Sequence, residues 1–181
     1  MRKYFFTLII LFCLVAVLFN TAQAHRKINR HHKITPTRAY FNTDSLSADS
    51  VLNFAQTLIG TQYRPASSNP LLGFDCSGFV GYVFKKFNIN VPRYSGDFAN
   101  VGEKIKLEDA KPGDIILFTG TKKHTRRIGH IAIVLYNGTD GFKFIHSTSG
   151  KEYGVTITAM DKTYKHRFVQ AIRLLKQNDV S

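Results

Sequence analysis

Among its 181 residues the chain has no tryptophan and only two cysteines. One of these, Cys13, falls inside an N-terminal segment that reads as removable, which leaves Cys76 alone. A lone thiol cannot close an intramolecular disulfide, so a covalent staple is excluded as the source of stability. A buried inert thiol, an intermolecular bridge or a nucleophile remains. No Cys-x-x-Cys or His-x-x-x-His spacing occurs, so the usual sequence signatures of a zinc site are missing. No internal repeat is present. Acidic residues are scarce, 12 against 25 lysines and arginines, for a formal charge of +13. Such a balance favours anionic surroundings.

Residues 1–24 have the three parts of a secretory signal. Arg2 and Lys3 give a positive start, Tyr4 to Phe19 an apolar run, and Ala22-Gln23-Ala24 a small-x-small cleavage site. The run is short for a membrane span, which needs roughly 20 apolar residues. Acylation of Cys13 as a lipoprotein is disfavoured by the bulky Phe12 before it. Export makes nucleic acid an unexpected partner, and no nucleic-acid motif is present. Residues 25–46 are polar and carry Arg26, Lys27, Arg30, Lys33 and Arg38. They read as a basic, flexible linker able to touch an anionic surface such as wall polymer or lipid headgroups. His25, His31 and His32 read as part of that solvated tail.

Globular patterning begins near Ser47 and suits one domain over residues 47–177. Ser47 or Asp49 can cap a helix running to Leu58, with Val51, Leu52, Phe54, Ala55 and Leu58 at helical spacing. Gly60 ends it. Tyr63 to Gly73 is a loop rich in Pro, Ser and Asn. A second helix is predicted from Cys76 to about Phe87, its apolar face made by Phe79, Val80, Val83, Phe84 and Phe87. Val91 to Ser95 is extended, because the residue before Pro92 avoids the helical region. Strands are predicted at Asp114–Phe118, Ile128–Tyr136, Phe142–Ser147, Tyr153–Thr158 and Phe168–Leu175. A hairpin turn falls around Asn137 to Gly141. Helices followed by mostly antiparallel strands mean an α+β domain.

Cys76 sits at a predicted helix start. Free backbone N–H groups and the helix dipole there are expected to lower a thiol pKa and to hold an oxyanion. His130 opens one strand and His146 lies on the next. If Tyr136 pairs with Phe142, His146 faces Ala132 and His130 lies one diagonal step away on the same face. A one-residue slip would put the two imidazoles on opposite faces. A single cysteine or histidine in such a place is more often core than chemistry. Three of them, on a helix start and two adjacent strands, point to nucleophilic catalysis. A zinc site built from Cys76, His130 and His146 is a rival use of the same groups. Asp75 reads as the turn-holding residue before the helix, Asp114 as a local backbone partner, and Phe79, Phe84, Phe87, Phe118 and Phe144 as core.

Three blocks then occur in a telling order: Asp75-Cys76-Ser77-Gly78, Gly129-His130-Ile131 after Lys111-Pro112-Gly113-Asp114, and Phe144-Ile145-His146. Over residues 47–176 the chain resembles the NlpC/P60 family of cell-wall cysteine peptidases. The resemblance implies a papain-like fold, with N-terminal helices packed on an antiparallel sheet of about five strands. It implies Cys76 as nucleophile, His130 as general base and His146 as the residue orienting it. Tyr63, Ser77, Arg93 and Ser95 are placed on the substrate and oxyanion side, the last two through Pro92-Arg93-Tyr94-Ser95. Where family members often carry a Gly-Gly pair after the tyrosine, this chain has Arg64 to Leu72, a loop expected to line the cleft. Thr121 to Arg127 is unusually basic and could meet substrate carboxylates or form a solvated tip.

The expected activity is an exported endopeptidase of peptidoglycan stem peptides, cutting either a D-glutamyl–diamino acid bond or a D-alanyl crosslink. Neither a cofactor nor a metal is required, and a monomer is expected. An N-acetylmuramoyl-L-alanine amidase on the same fold and a non-catalytic wall-binding module are the alternatives.

Overall fold

A computed structural model describes Thr43 and residues 46–121 and 125–176. The expected signal segment, with Cys13, lies outside the described residues, as does nearly all of the expected linker. Within that linker Thr43 is fully buried, and its hydroxyl donates to the Leu174 carbonyl at 3.0 Å. No helix among the described residues is long and apolar enough to cross a membrane.

The first helix, α1, spans Ala48–Gln56. Ser47 has extended backbone and its Oγ accepts from the Ser50 N–H at 3.2 Å, satisfying one orphan donor of the first turn. Val51, Leu52 and Ala55 are its buried stripe, and Gly60, at φ +86°, follows in the turn that ends it. The loop after Tyr63 contains a two-stranded ribbon, β1 (Ser68–Asn69) and β2 (Gly73–Phe74). Helix α2 spans Cys76–Lys85, and Asp75 caps it by accepting the Gly78 N–H at 2.7 Å. A 3-10 turn at Ser95–Asn100 leads to β3 (Glu103–Ile105). Then come β4 (Ile115–Thr119), β5 (Ile128–Gly138), β6 (Gly141–Thr148), β7 (Gly154–Ala159), helix α3 (Lys162–Arg167) and β8 (Phe168–Arg173).

The main sheet is antiparallel with six strands in the order β3-β8-β4-β5-β6-β7. The α+β class agrees with the sequence reading, and so do the five long strands. The count of about five is corrected to six plus the ribbon. The missed strands are two or three residues long and carry no alternating run that a period-two pattern could reveal. Helix α3 was also missed; none of its residues is buried, so it has no apolar stripe.

Both faces of the sheet are covered. Ile115, Leu117, Ile131, Ile133 and Ile145 join α1 and α2 in one core cluster. Ile116, Phe118, Ala132, Val134 and Phe144 form a second, against which Tyr164 of α3 packs. Double coverage explains why β4 reads as an unbroken apolar run. At its start Asp114 is fully buried; it accepts the Lys111 N–H at 2.7 Å, as expected, and also an ion pair from Arg173 at 2.8 Å that sequence gave no reason to foresee.

The β5–β6 hairpin departs from the expected pairing near its turn. Tyr136 faces Lys143 rather than Phe142, and Phe142 faces Asn137. An irregularity between Val134 and Tyr136 takes up the difference, so that Val134 faces Phe144 and Ile133 faces Ile145. Carried one step further, this register sets His146 against Ala132. The extra residue in β5 therefore restores the parity that puts both imidazoles on one face.

Candidate active site

Cys76 is the first residue of α2, directly after its cap. The geometry of that cap explains the sequence Asp-Cys-Ser-Gly. Asp75 is extended, and its side-chain oxygen accepts the Gly78 amide. Gly78 must lack a side chain, because a Cβ there would overlap the Ser67 carbonyl. Asp75 also grips Arg93 through both oxygens, at 3.0 and 2.6 Å, and Arg93 donates to Ser77 Oγ at 3.1 Å.

Burial pushes the Cys76 thiol above its ordinary value, and the Asp75 charge adds to that. Backbone N–H groups of Ser77, Ile131 and Cys76 itself oppose the rise without reversing it. The expectation of a lowered thiol pKa is therefore corrected: desolvation outweighs the helix start. The N–H of Ile131 reaches the sulfur because β5 runs past the start of α2.

His130 and His146 sit face to edge, with Nε2 of His130 and Nδ1 of His146 2.7 Å apart. His146 Nε2 lies 2.9 Å from Thr158 Oγ1 on β7. Phe118, Phe144 and Tyr164 pack their rings around the pair. Burial lowers both imidazoles. His130 falls well below the usual range, helped by His146 and by the positive Arg167, and His146 falls to about 4, helped by Arg167. Both are neutral near pH 7, as is the thiol.

Two hollows meet at Cys76 and Tyr63. The smaller, about 340 Å³, is lined by both of them together with His130, Ser149, Tyr164 and Arg167. The larger, about 830 Å³, is lined by the same two together with Arg93, Tyr94, Ser95 and Arg127. Cys76 and His130 thus share a pocket, and Tyr63, Ser77, Arg93 and Ser95 all border the larger cleft. His146 is fully buried behind His130 and lines neither hollow. Ser77 is 6 % exposed and its hydroxyl is engaged with Asp75 and Arg93. From the Arg64 to Leu72 loop, Pro65 and Ala66 reach the larger cleft, while Leu71 and Leu72 are exposed and line neither hollow. Of the basic stretch before His130, Arg127 lines the larger cleft; Lys122, Lys123 and His124 lie outside the described residues.

Sequence reasoning missed Thr158, Tyr164 and Arg167. Thr158 could have been found by parity, since it shares a face with His146 once β7 is registered. The other two lie on a helix without an apolar signal. Among the described residues no three His, Cys, Asp or Glu side chains are grouped to hold a metal ion.

Residues 60–173 match the model of the NlpC/P60 family. The chain belongs to the NlpC/P60 family. It is 34% identical over 127 residues to the gamma-DL-glutamyl hydrolase of Bacillus subtilis, a match spanning 70% of this chain and 29% of that protein. It is 32% identical over 148 residues to the probable endopeptidase NlpC of Escherichia coli, spanning 80% of this chain and 89% of that one. A crystal structure of an NlpC/P60 family protein from Bacillus cereus superposes with a TM-score of 0.63 at 29% identity, covering 71% of this chain and 40% of that chain. The family assignment agrees with the sequence reading, and the Bacillus subtilis and Escherichia coli relatives are named a hydrolase and a probable endopeptidase.

Proposed function

We propose that the protein is an exported cysteine endopeptidase hydrolysing amide bonds in peptidoglycan stem peptides, with Cys76, His130 and His146 as its catalytic set. The 2.7 Å contact between His130 and His146, beside a pocket that Cys76 and His130 both line, carries this reading. Family relatives named a murein DD-endopeptidase and a peptidoglycan hydrolase support the substrate class.

With Nε2 of His130 donating to Nδ1 of His146, and Nε2 of His146 donating to Thr158 Oγ1, both tautomers are set. Nδ1 of His130 is then the unprotonated nitrogen and serves Cys76. In the resting site thiol and imidazole are both neutral, so proton transfer accompanies attack. Sγ adds to the scissile carbonyl as its proton passes to His130. The oxyanion is held by backbone N–H at Cys76, with Tyr63 beside it. His130 returns the proton to the leaving nitrogen as the C–N bond breaks, giving a thioester and a free amine. Water, activated by His130, then hydrolyses the thioester to carboxylate and thiol. Asp75 and Arg93 hold the start of α2 against the cleft wall.

Mass spectrometry of defined crosslinked and uncrosslinked muropeptides after incubation with the protein, with Cys76→Ala as control, tests this. A Cys76-dependent cut between amino acids is expected, and its new termini name the bond. Release of an intact stem peptide from glycan would replace the endopeptidase reading with an amidase. A cut that persists in Cys76→Ala would refute the mechanism.

A further inference from the structure

Arg167, the last residue of α3, is fastened in an unusual position. Its Nε and Nη2 both donate to the Thr119 carbonyl, at 3.1 and 2.8 Å, and its guanidinium stands 5.3 Å from the centre of the Tyr164 ring. Among the described residues no carboxylate forms an ion pair with it. Ion pairs elsewhere in the domain use Arg93, Lys106 and Arg173. Yet Arg167 lines the smaller hollow together with Cys76 and His130.

That hollow has a direction. His130 lines it and does not line the larger cleft. The group that protonates the leaving nitrogen must touch it, so the leaving half of the substrate enters the smaller hollow and the acyl half the larger. We propose that Arg167 recognises a carboxylate on the leaving-amine side of the scissile bond; this rests on the peptidase reading above. A planar guanidinium already oriented by the Thr119 carbonyl suits a carboxylate better than a mobile lysine would. A second consequence follows. The Arg167 charge weakens both histidines as bases. A bound carboxylate offsets that charge, so a substrate bearing one also strengthens His130, and recognition shows in kcat as well as in KM.

Two synthetic stem peptides, identical except that the leaving-side carboxylate is free in one and a carboxamide in the other, provide the test. The protein should favour the acid by about tenfold or more in kcat/KM, the scale of a hydrogen bond to a charged group. Arg167→Gln should bring the ratio of the two substrates to about one, and Arg167→Lys should restore part of it. An equal loss on both peptides would make Arg167 only a support for Thr119 and would overturn the proposal, as would an unmodified protein that does not discriminate. Calorimetric binding of the free leaving fragment to Cys76→Ala, with and without Arg167→Gln, separates the two readings. Arg167-dependent binding without any cleavage would sink the peptidase and keep the site. Cleavage without discrimination would sink the site alone, and absence of both would sink the two together.

Discussion

Asp75 and Arg93 face each other with both carboxylate oxygens against both terminal guanidinium nitrogens, at 3.0 and 2.6 Å. The pair stands beside Cys76, and the Asp75 charge is the second largest influence raising the thiol. Arg93 therefore shields the sulfur from a neighbouring negative charge. Arg93→Met should raise the thiol pKa further and slow its alkylation at pH 8 by roughly three- to tenfold. Iodoacetamide rates in the variant and the parent protein measure it; an unchanged rate would show that Asp75 does not act on the thiol through space.

The neutral resting pair predicts a particular alkylation profile. Burial holds the thiol above its ordinary 9.0, so the rate should keep climbing beyond pH 9. A plateau near pH 6 would instead reveal a preformed thiolate and imidazolium.

The relay predicts a graded series. Cys76→Ala should remove turnover while leaving the fold intact. His146→Ala should lower kcat by about a hundredfold, the low end for a group that positions a general base. Thr158→Val should cost less, about threefold, because it removes the outermost hydrogen bond only. Equal losses in His146→Ala and Thr158→Val would contradict the order of the relay.

The buried histidines make stability depend on pH. His146 has its pKa lowered from 6.5 to about 4 in the folded state. Between those values the unfolded chain binds more protons than the native one, so acidification favours unfolding. Stability should be full above about pH 6.5 and fall as the pH drops toward 4, by up to about 3 kcal/mol. Urea unfolding from pH 7 to pH 4 measures it, and His146→Gln should flatten the slope. A slope unchanged by that substitution would assign the effect elsewhere.

Gly78 should be irreplaceable for steric reasons. A Cβ there meets backbone, the Ser67 carbonyl, which cannot swing aside as a side chain could. Gly78→Ala should destabilise by about 1–3 kcal/mol, as overpacking does, and should lower activity through the displaced start of α2. Thermal unfolding and turnover should fall together.

Much of this was legible locally. A cap such as Asp75 acts within three residues, so Cys76 at a helix start follows from sequence alone. Strand parity is likewise local, which is why His130 and His146 could be set on one face given the right pairing. The pairing itself was not local. Tyr136 pairs with Lys143, and only the extra residue in β5 returns His146 to the right face. Such an irregularity reflects how two strands twist and pack together, and it leaves no mark in the alternation of either one. The direction of the Cys76 shift was beyond reach for a similar reason. A helix start favours the thiolate and is visible in sequence, but burial opposes it and depends on how β5 and Tyr63 close over the sulfur. Arg167 shows the contrast most clearly. Its residue type could be read, but its place in the hollow that Cys76 also lines exists only because α3 folds back between β7 and β8. Short-range hydrogen bonding and periodicity thus determined the elements and where Cys76, His130 and His146 stand on them. Desolvation, register and the placement of the Arg167 charge required the packed tertiary structure, because each depends on contacts between residues far apart in the chain.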